Sequence, residues 1–344
     1  MKLTDLDFSY PEELIATSPQ RPSRVMWVDA QAGPSEISLS ELLEKIPTGD
    51  LLVLNNTRVL KRRVFSGDVE ILFLKQISDT QWEVLFPSKK YKVGASLELP
   101  LGVSMKLVQK GRPQVVELSQ VVDEAYFQQV AELPLPPYIQ KAREERHTVQ
   151  ADESWYQTAW AQKPGSFAAP TASLHFSADD LAKLKSRGVR ISELTLHVGL
   201  GTFLPVTAED LDQHEMHEEY VEVSADTWHL VQETKKQGHQ VWSLGTTTTR
   251  SLESTALGLL AGSEQTGFSG FSKLLIQPGY DFKVVDVLLT NFHQPQSTLL
   301  ALVSAFSSLE KVKACYLWAI ERKFRLFSYG DLSVWAGRTS ASSK

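Results

Sequence analysis

The chain has 344 residues, 42% hydrophobic and 22% charged, with a formal net charge of −6 at pH 7, which excludes collagen-like, low-complexity and disordered classes. Its single cysteine, Cys315, excludes a disulfide framework and any zinc site built on two thiolates, and points to a reducing, cytoplasmic setting. An acidic start (Asp5, Asp7, Glu12, Glu13) and the lack of an apolar run near the ~20 residues of a membrane span set aside export and membrane roles, and the length favours two domains.

Taken in chain order, residues 51–54 read as a buried strand that delivers Asn55, Asn56, Thr57 and Arg58 at its end. From 60 to 112, ten basic residues stand against five acidic ones, a local charge of +5 in an acidic chain. Short alternating runs at 69–75, 82–86, 97–100, 104–108 and 114–119, separated by turn residues, predict a small antiparallel barrel or sandwich there. The proline-rich run 133–138 reads as an extended strap returning to the main body. Beyond it, the pattern predicts a helix at 178–187 stopped by Gly188, a strand at 189–198, and a helix from the Ser224 cap to about 237. Strands at 239–244 and 283–289 and helices at 297–306 and 310–323 follow. The expected fold class is therefore α/β: a mixed α/β main domain made of 1–59 and 150–335, an inserted antiparallel β-barrel domain at 60–149, and a frayed tail at 336–344.

Polar clusters follow several of these strands, where ligand sites of open α/β sheets collect. Asn55, Asn56 and Arg58 suit reading a base edge or a carboxylate, although paired asparagines also serve simply to turn a chain. The small-residue run containing Pro170 and Thr171 would let a ligand approach the backbone, and it ends at His175, which beside Phe176 reads more readily as a satisfied, partly buried histidine. His197, Gly199, Gly201 and Thr202 form a glycine loop without the third glycine of a dinucleotide fingerprint. If 212–218 is helical, His214 and His217 share a face with Glu218 one turn beyond His214; acid/base work suits this pair better than metal binding, which needs a third ligand. Gly245, Thr246, Thr247 and Arg250 mark a Gly/Thr loop entering a helix, either an anion site or threonines satisfying a turn. Asn291 and His293 follow another strand, and Tyr329 and Asp331 stand together near the end.

With these segments in place, the chain resembles the S-adenosylmethionine:tRNA ribosyltransferase-isomerase family of queuosine biosynthesis. The resemblance rests on Asp50-Leu51-Leu52-Val53-Leu54-Asn55-Asn56-Thr57-Arg58, Pro134-Leu135-Pro136-Pro137-Tyr138, Ala168-Ala169-Pro170-Thr171-Ala172 and Leu196-His197-Val198-Gly199-Leu200-Gly201-Thr202-Phe203. It continues through His214 with Met216-His217, Gly245-Thr246-Thr247, Thr290-Asn291-Phe292-His293 and Phe327-Ser328-Tyr329-Gly330-Asp331. The chain departs from the family pattern in a shortened hairpin at 66–68, extra charged sequence at 140–153, and Asp281 and Gln296 in place of basic residues.

The resemblance implies transfer and isomerisation of the ribosyl part of S-adenosylmethionine onto 7-aminomethyl-7-deazaguanine at the tRNA wobble position. Epoxyqueuosine forms, and adenine and methionine leave. S-adenosylmethionine is then a consumed substrate, no metal or other cofactor is expected, and the expected protein is a cytoplasmic monomer. On this reading His197, His214, His217 and His293 are the acid/base candidates, with Glu218 or Asp331 orienting a histidine. Gly245, Thr246, Thr247 and Arg250 would bind a carboxylate. Asn55, Asn56, Thr57 and Arg58 would read the base or ribose, with Pro170, Thr171, His175, Gly199, Gly201, Thr202, Asn291 and Tyr329 lining the substrate site. Lys61, Arg62, Arg63, Lys89, Lys90 and Lys92 would contact tRNA. Two other classes fit parts of the chain: a non-catalytic tRNA-binding protein and a histidine-based metal-dependent hydrolase.

Overall fold

The computed structural model describes residues 1–29, 31–199, 201, 206 and 208–336. Strands β1 (Arg24–Asp29) and β2 (Pro34–Ser38) lead through α1 (Leu39–Lys45) into β3 (Leu51–Asn55) and β4 (Thr57–Val59). Six strands follow: β5 (Arg63–Ser66), β6 (Val69–Gln76), β7 (Gln81–Leu85), β8 (Ser96–Leu99), β9 (Val103–Gln109) and β10 (Gln114–Leu118). Helices α2 (Glu124–Val130), α3 (Pro137–Arg143) and α4 (Asp152–Trp155) carry the chain back to β11 (Lys163–Ser166), α5 (Ala178–Ser186) and β12 (Arg190–His197). Then come β13 (Glu219–Val223), α6 (Ala225–Lys236), β14 (Val241–Leu244), α7 (Thr246–Ala256), β15 (Ala261–Ser263) and β16 (Gly267–Ser272). The last elements are β17 (Val287–Asn291), α8 (Thr298–Phe306), α9 (Leu309–Glu321) and β18 (Leu332–Ala336).

The main sheet has ten strands in the order β15-β16-β13-β12-β3-β14-β17-β18-β1-β2, and β12, β3, β14 and β17 run parallel at its centre. The sequence of β3 shows why. Leu51 and Val53 enter a core shared with α6, α7, α8 and α9, while Leu52 and Leu54 enter a second core shared with α1 and α5. A strand covered on both faces has no solvent side, hence an unbroken apolar run instead of alternation. The six-stranded antiparallel sheet has the order β5-β6-β7-β10-β9-β8, and its edge strands β5 and β8 approach each other so that it nearly closes into a barrel. Val64, Ile71, Phe73, Trp82 and Met105 fill it, with Phe127 of α2 as a plug. The α/β class with an inserted antiparallel barrel is thus the observed architecture.

Several local expectations are corrected. The strap at 133–138 is extended only as far as Pro136; α3 begins at Pro137, because proline's fixed φ suits the first helical position. Residues 212–218 are not a helix: a 3-10 turn at Leu211–Gln213 is followed by extended chain, and Asp210 spends its side chain on the Asp212 N–H. The strand expected from 283 begins only at Val287, because the N–H groups of Lys283, Val284 and Val285 donate to the buried Glu253 carboxylate instead of a neighbouring strand. Ala336 belongs to β18, and the rest of the expected tail lies outside the described residues.

Candidate functional site

A cleft of about 490 Å³ opens beyond the carboxyl ends of the parallel strands. Each strand end contributes through a different local device. At the end of β14, Gly245 adopts φ +97°, which turns the chain at once into α7 with no side chain capping the helix. The hydroxyls of Thr248 and Thr249 donate back to the Leu244 and Gly245 carbonyls, whereas Thr246 and Thr247 line the cleft. An uncapped helix start presents N–H groups and partial positive charge. The expected Gly/Thr loop is therefore the first turn of a helix.

Arg250 and Glu219 also line the cleft and are ion-paired to each other, both buried. Arg250 Nε donates to the Leu274 carbonyl at 3.0 Å, and Glu219 Oε1 accepts from the Gly199 N–H at 3.1 Å. Arg250 is thus charge-paired with Glu219, while its Nη2 has no hydrogen-bond partner among the described residues. Sequence reasoning missed Glu219; the one available signal is an acid at an inward position of the alternating strand β13.

Three of the four candidate histidines line the cleft: His214, His217 and His293. His293 is buried, with Nε2 2.8 Å from Thr290 Oγ1 and its backbone N–H donating to Tyr316 Oη at 3.0 Å, and burial lowers its pKa to about 3. Burial lowers the His214 pKa as well, with the neighbouring His217 adding to the effect. His217 is exposed, and an added Cβ on Gly201 would come within 2.9 Å of its ring, so the glycine backbone passes close against the imidazole. Thr202 lies outside the described residues. His197 does not line the cleft: it sits on the other face of β12 from Leu196, 2.7 Å from Thr57 Oγ1 through Nδ1, its pKa lowered by burial.

Pro170, Thr171, Gly201 and Asn291 line the cleft, together with Tyr138, Tyr156 and Ser328, which were not expected there. Asn291 Nδ2 donates to His175 Nε2 at 3.0 Å and to the Phe327 carbonyl at 3.1 Å. His175 therefore accepts at Nε2 and donates from Nδ1 to Ser23 Oγ, 2.6 Å away. It is buried, burial lowers its pKa to about 3, and it lies behind the cleft wall as a support for Asn291.

Other expected site residues are occupied elsewhere. Asn55 exchanges hydrogen bonds with the Leu196 backbone at 3.0 and 3.1 Å and also donates to Thr247 Oγ1 of the cleft wall at 3.3 Å, and Asn56 holds Thr195 and Glu193, so these amides stitch β3 to β12. Thr57 holds His197, Gly199 is engaged by Glu219, and Arg58 is exposed outside the cleft. Asp331 accepts the backbone N–H groups of Arg24 and Arg325 and orients no histidine; burial raises its pKa. Glu218 pairs with Lys273 at 3.3 Å, and Tyr329 donates to Asp152 at 3.1 Å.

In the inserted sheet, Arg62 pairs with Glu124 at 2.6 Å and Arg63, 1% exposed, with Glu132 at 2.7 Å, so neither guanidinium is free to meet phosphate. Lys61 pairs with Glu153. Lys89, Lys90 and Lys92 are exposed. Among the described residues, no group of three or more His, Cys, Asp or Glu side chains is placed to hold a metal ion, and no helix is long and apolar enough to cross a membrane.

Residues 3–334 match the model of a family described as queuosine biosynthesis protein. The chain is 42% identical to the S-adenosylmethionine:tRNA ribosyltransferase-isomerase of Halothermothrix orenii, over 96% of this chain and 98% of that protein. The Staphylococcus haemolyticus protein of the same name is 39% identical with the same coverage. A crystal structure of S-adenosylmethionine tRNA ribosyltransferase from Thermotoga maritima superimposes with a TM-score of 0.55 at 29% identity, covering 96% of this chain and 99% of that one.

Proposed function

The chain belongs to the queuosine biosynthesis protein family, and from that premise we propose that it is an S-adenosylmethionine:tRNA ribosyltransferase-isomerase. It transfers and isomerises the ribosyl group of S-adenosylmethionine onto 7-aminomethyl-7-deazaguanine at the tRNA wobble position. The products are epoxyqueuosine, adenine and methionine. The observation that carries this reading is one cleft walled by two adjacent imidazoles, His214 and His217, and by the uncapped start of α7.

The sulfonium of S-adenosylmethionine acidifies the ribose carbon beside it, so a positioned base can remove a proton there as adenine is expelled. His214, kept neutral by burial, suits the base, and the exposed His217 suits returning a proton to adenine. The aminomethyl nitrogen then bonds to the sugar carbon that lost adenine, the bond from that carbon to the ring oxygen breaks, and the deprotonated carbon closes onto the carbon bearing the nitrogen to form the new ring. The freed oxygen, still held by the neighbouring carbon, displaces methionine from the deprotonated carbon and closes the epoxide. Thr246 and Thr247 at the α7 start are the proposed seat of the methionine carboxylate, with the N–H groups of the first turn as donors. The reaction as written uses no metal. Residues 60–149 act as the tRNA-contacting domain through Lys89, Lys90 and Lys92, and residues 1–59 with 150–335 as the catalytic domain.

The test is to incubate the protein with S-adenosylmethionine and tRNA bearing 7-aminomethyl-7-deazaguanine, weigh the nucleosides after digestion and follow free adenine. Epoxyqueuosine with stoichiometric adenine is the expected result. Tight tRNA binding with neither product would move the chain to the non-catalytic class.

A further inference from the structure

Away from the cleft, three rings stand in one row across three strands. His197 of β12 is the direct register partner of Tyr220 on β13, and Tyr220 is the partner of Phe271 on β16. The His197 and Tyr220 rings are stacked at 5.9 Å with 20° between planes, and Tyr220 meets Phe271 edge-on at 5.6 Å. The reverse face of the same strands, Leu196 and Val221, is core. Phe271 is 64% exposed, and the register of β15 against β16 stops at Ser269, so no β15 residue pairs with Phe271.

The row is rigid. His197 is held by Thr57, and Gly165 lies against its ring so closely that a Cβ there would fall 2.7 Å from it. Lys163 and Lys273 flank the row as solvent-facing ion pairs, with Glu222 at 2.6 Å and Glu218 at 3.3 Å, and Arg58 is exposed on the adjoining β4. One exposed aromatic ring is far short of the ~800 Å² per partner that a stable protein interface needs. It matches the face of a nucleobase. Aromatic side chains on adjacent antiparallel strands, with cations nearby for the backbone, are how sheet surfaces hold unstacked bases.

We propose that Phe271, backed by Tyr220 and His197, is a stacking platform for an unpaired base of the RNA substrate, outside the reaction cleft. The assignment rests on the RNA-modifying reading above and adds an interaction that is aromatic instead of ionic. The surface selects a single-stranded loop base, because a base in a duplex has no free face to offer.

The experiment measures the affinity of the full chain for unmodified tRNA and for its isolated anticodon stem-loop, at several salt concentrations. Wild type is compared with Phe271→Ala, Phe271→Leu and Phe271→Trp. Stacking predicts affinity about 5- to 150-fold weaker for Phe271→Ala, the range for one stacked base. Phe271→Leu, of similar apolar size, should lose nearly as much, and Phe271→Trp should bind at least as well as wild type. The slope of log affinity against log salt should be unchanged in all three, since none of them alters a charge that meets phosphate. Equal affinity in wild type and Phe271→Ala, or a loss rescued by Phe271→Leu, overturns the platform. Failure of the wild type to bind either RNA instead overturns the RNA-modifying reading, which keeps the two separate.

Discussion

Arg250 on α7 and Glu219 on β13 form an ion pair buried in the wall of the cleft, and through Glu219 the pair also holds the N–H of Gly199. One carboxylate thus ties a helix start, a strand and the glycine loop together. Removing one member of a buried pair strands the other charge, at a cost of about 3–5 kcal/mol. Glu219→Ala should lower the unfolding free energy from urea titration by that amount, and adding Arg250→Met should recover much of it. A urea midpoint unmoved by Glu219→Ala would show that the pair adds no stability.

Replacing His217 with Ala should reduce adenine release by roughly 10²- to 10⁴-fold, the usual loss for a general acid/base, with tRNA affinity unchanged. His217 is exposed, so folding should not change. Single-turnover adenine release beside a binding isotherm separates the two effects. Wild-type turnover in this variant removes His217 from the mechanism.

Stability should fall as pH drops below about 6.5. His175 and His293 are held neutral by burial, with folded pKa values of about 3 against 6.5 for the free side chain. Between those values the unfolded chain binds more protons than the folded one, so unfolding free energy rises with pH. The slope approaches about 1.4 kcal/mol per pH unit for each such group. The contribution is complete above pH 6.5 and is lost as pH falls toward 3. Urea midpoints at pH 7, 6 and 5 check this, and a profile no flatter in His175→Gln would remove that histidine as a source.

Asp152 is fully buried, accepts both Arg143 guanidinium nitrogens at 2.7 and 2.8 Å, and also takes the Val149 N–H and the Tyr329 hydroxyl. It anchors the charged segment between α3 and α4. Asp152→Ala should therefore open 144–151 to limited proteolysis before the rest of the chain, and an unchanged first cleavage site would contradict the anchor role.

The two groups of basic residues on the insert should behave differently. Lys89→Ala, Lys90→Ala and Lys92→Ala should each flatten the salt dependence of tRNA binding by up to about 0.9 for each phosphate that the side chain no longer neutralises. Arg63→Ala should instead lower stability, because that guanidinium lies against Glu132 inside the protein. Equal salt slopes in wild type and the triple lysine variant would place the RNA elsewhere.

What the sequence disclosed depended on how local the cause was. The central strand β3 and helix α8 were legible because an apolar run and a Ser297 cap are written in adjacent residues. β18 was not, because its place between β17 and β1 is settled by strands distant in the chain. The same holds in the site. His214, His217 and the Gly245 turn were legible as polar residues after strands, but the fate of Asn55 is decided by the backbone of Leu196, 141 residues away. The pairing of Arg250 was not legible for a similar reason, since its partner Glu219 lies 31 residues before it.

The position of β18 bears on how the protein is made. β1 pairs along its inner edge with β18, which follows every other described strand of the chain. The inserted barrel, by contrast, has all its strands by Leu118 and its Phe127 plug soon after, before most strands of the main sheet are made. β1 is made early and its inner edge stays open until β18 follows, a state in which nascent chains attract chaperones and proteases. A premature stop that deletes only β18 should therefore be as harmful to the main sheet as one much earlier, while leaving the barrel intact.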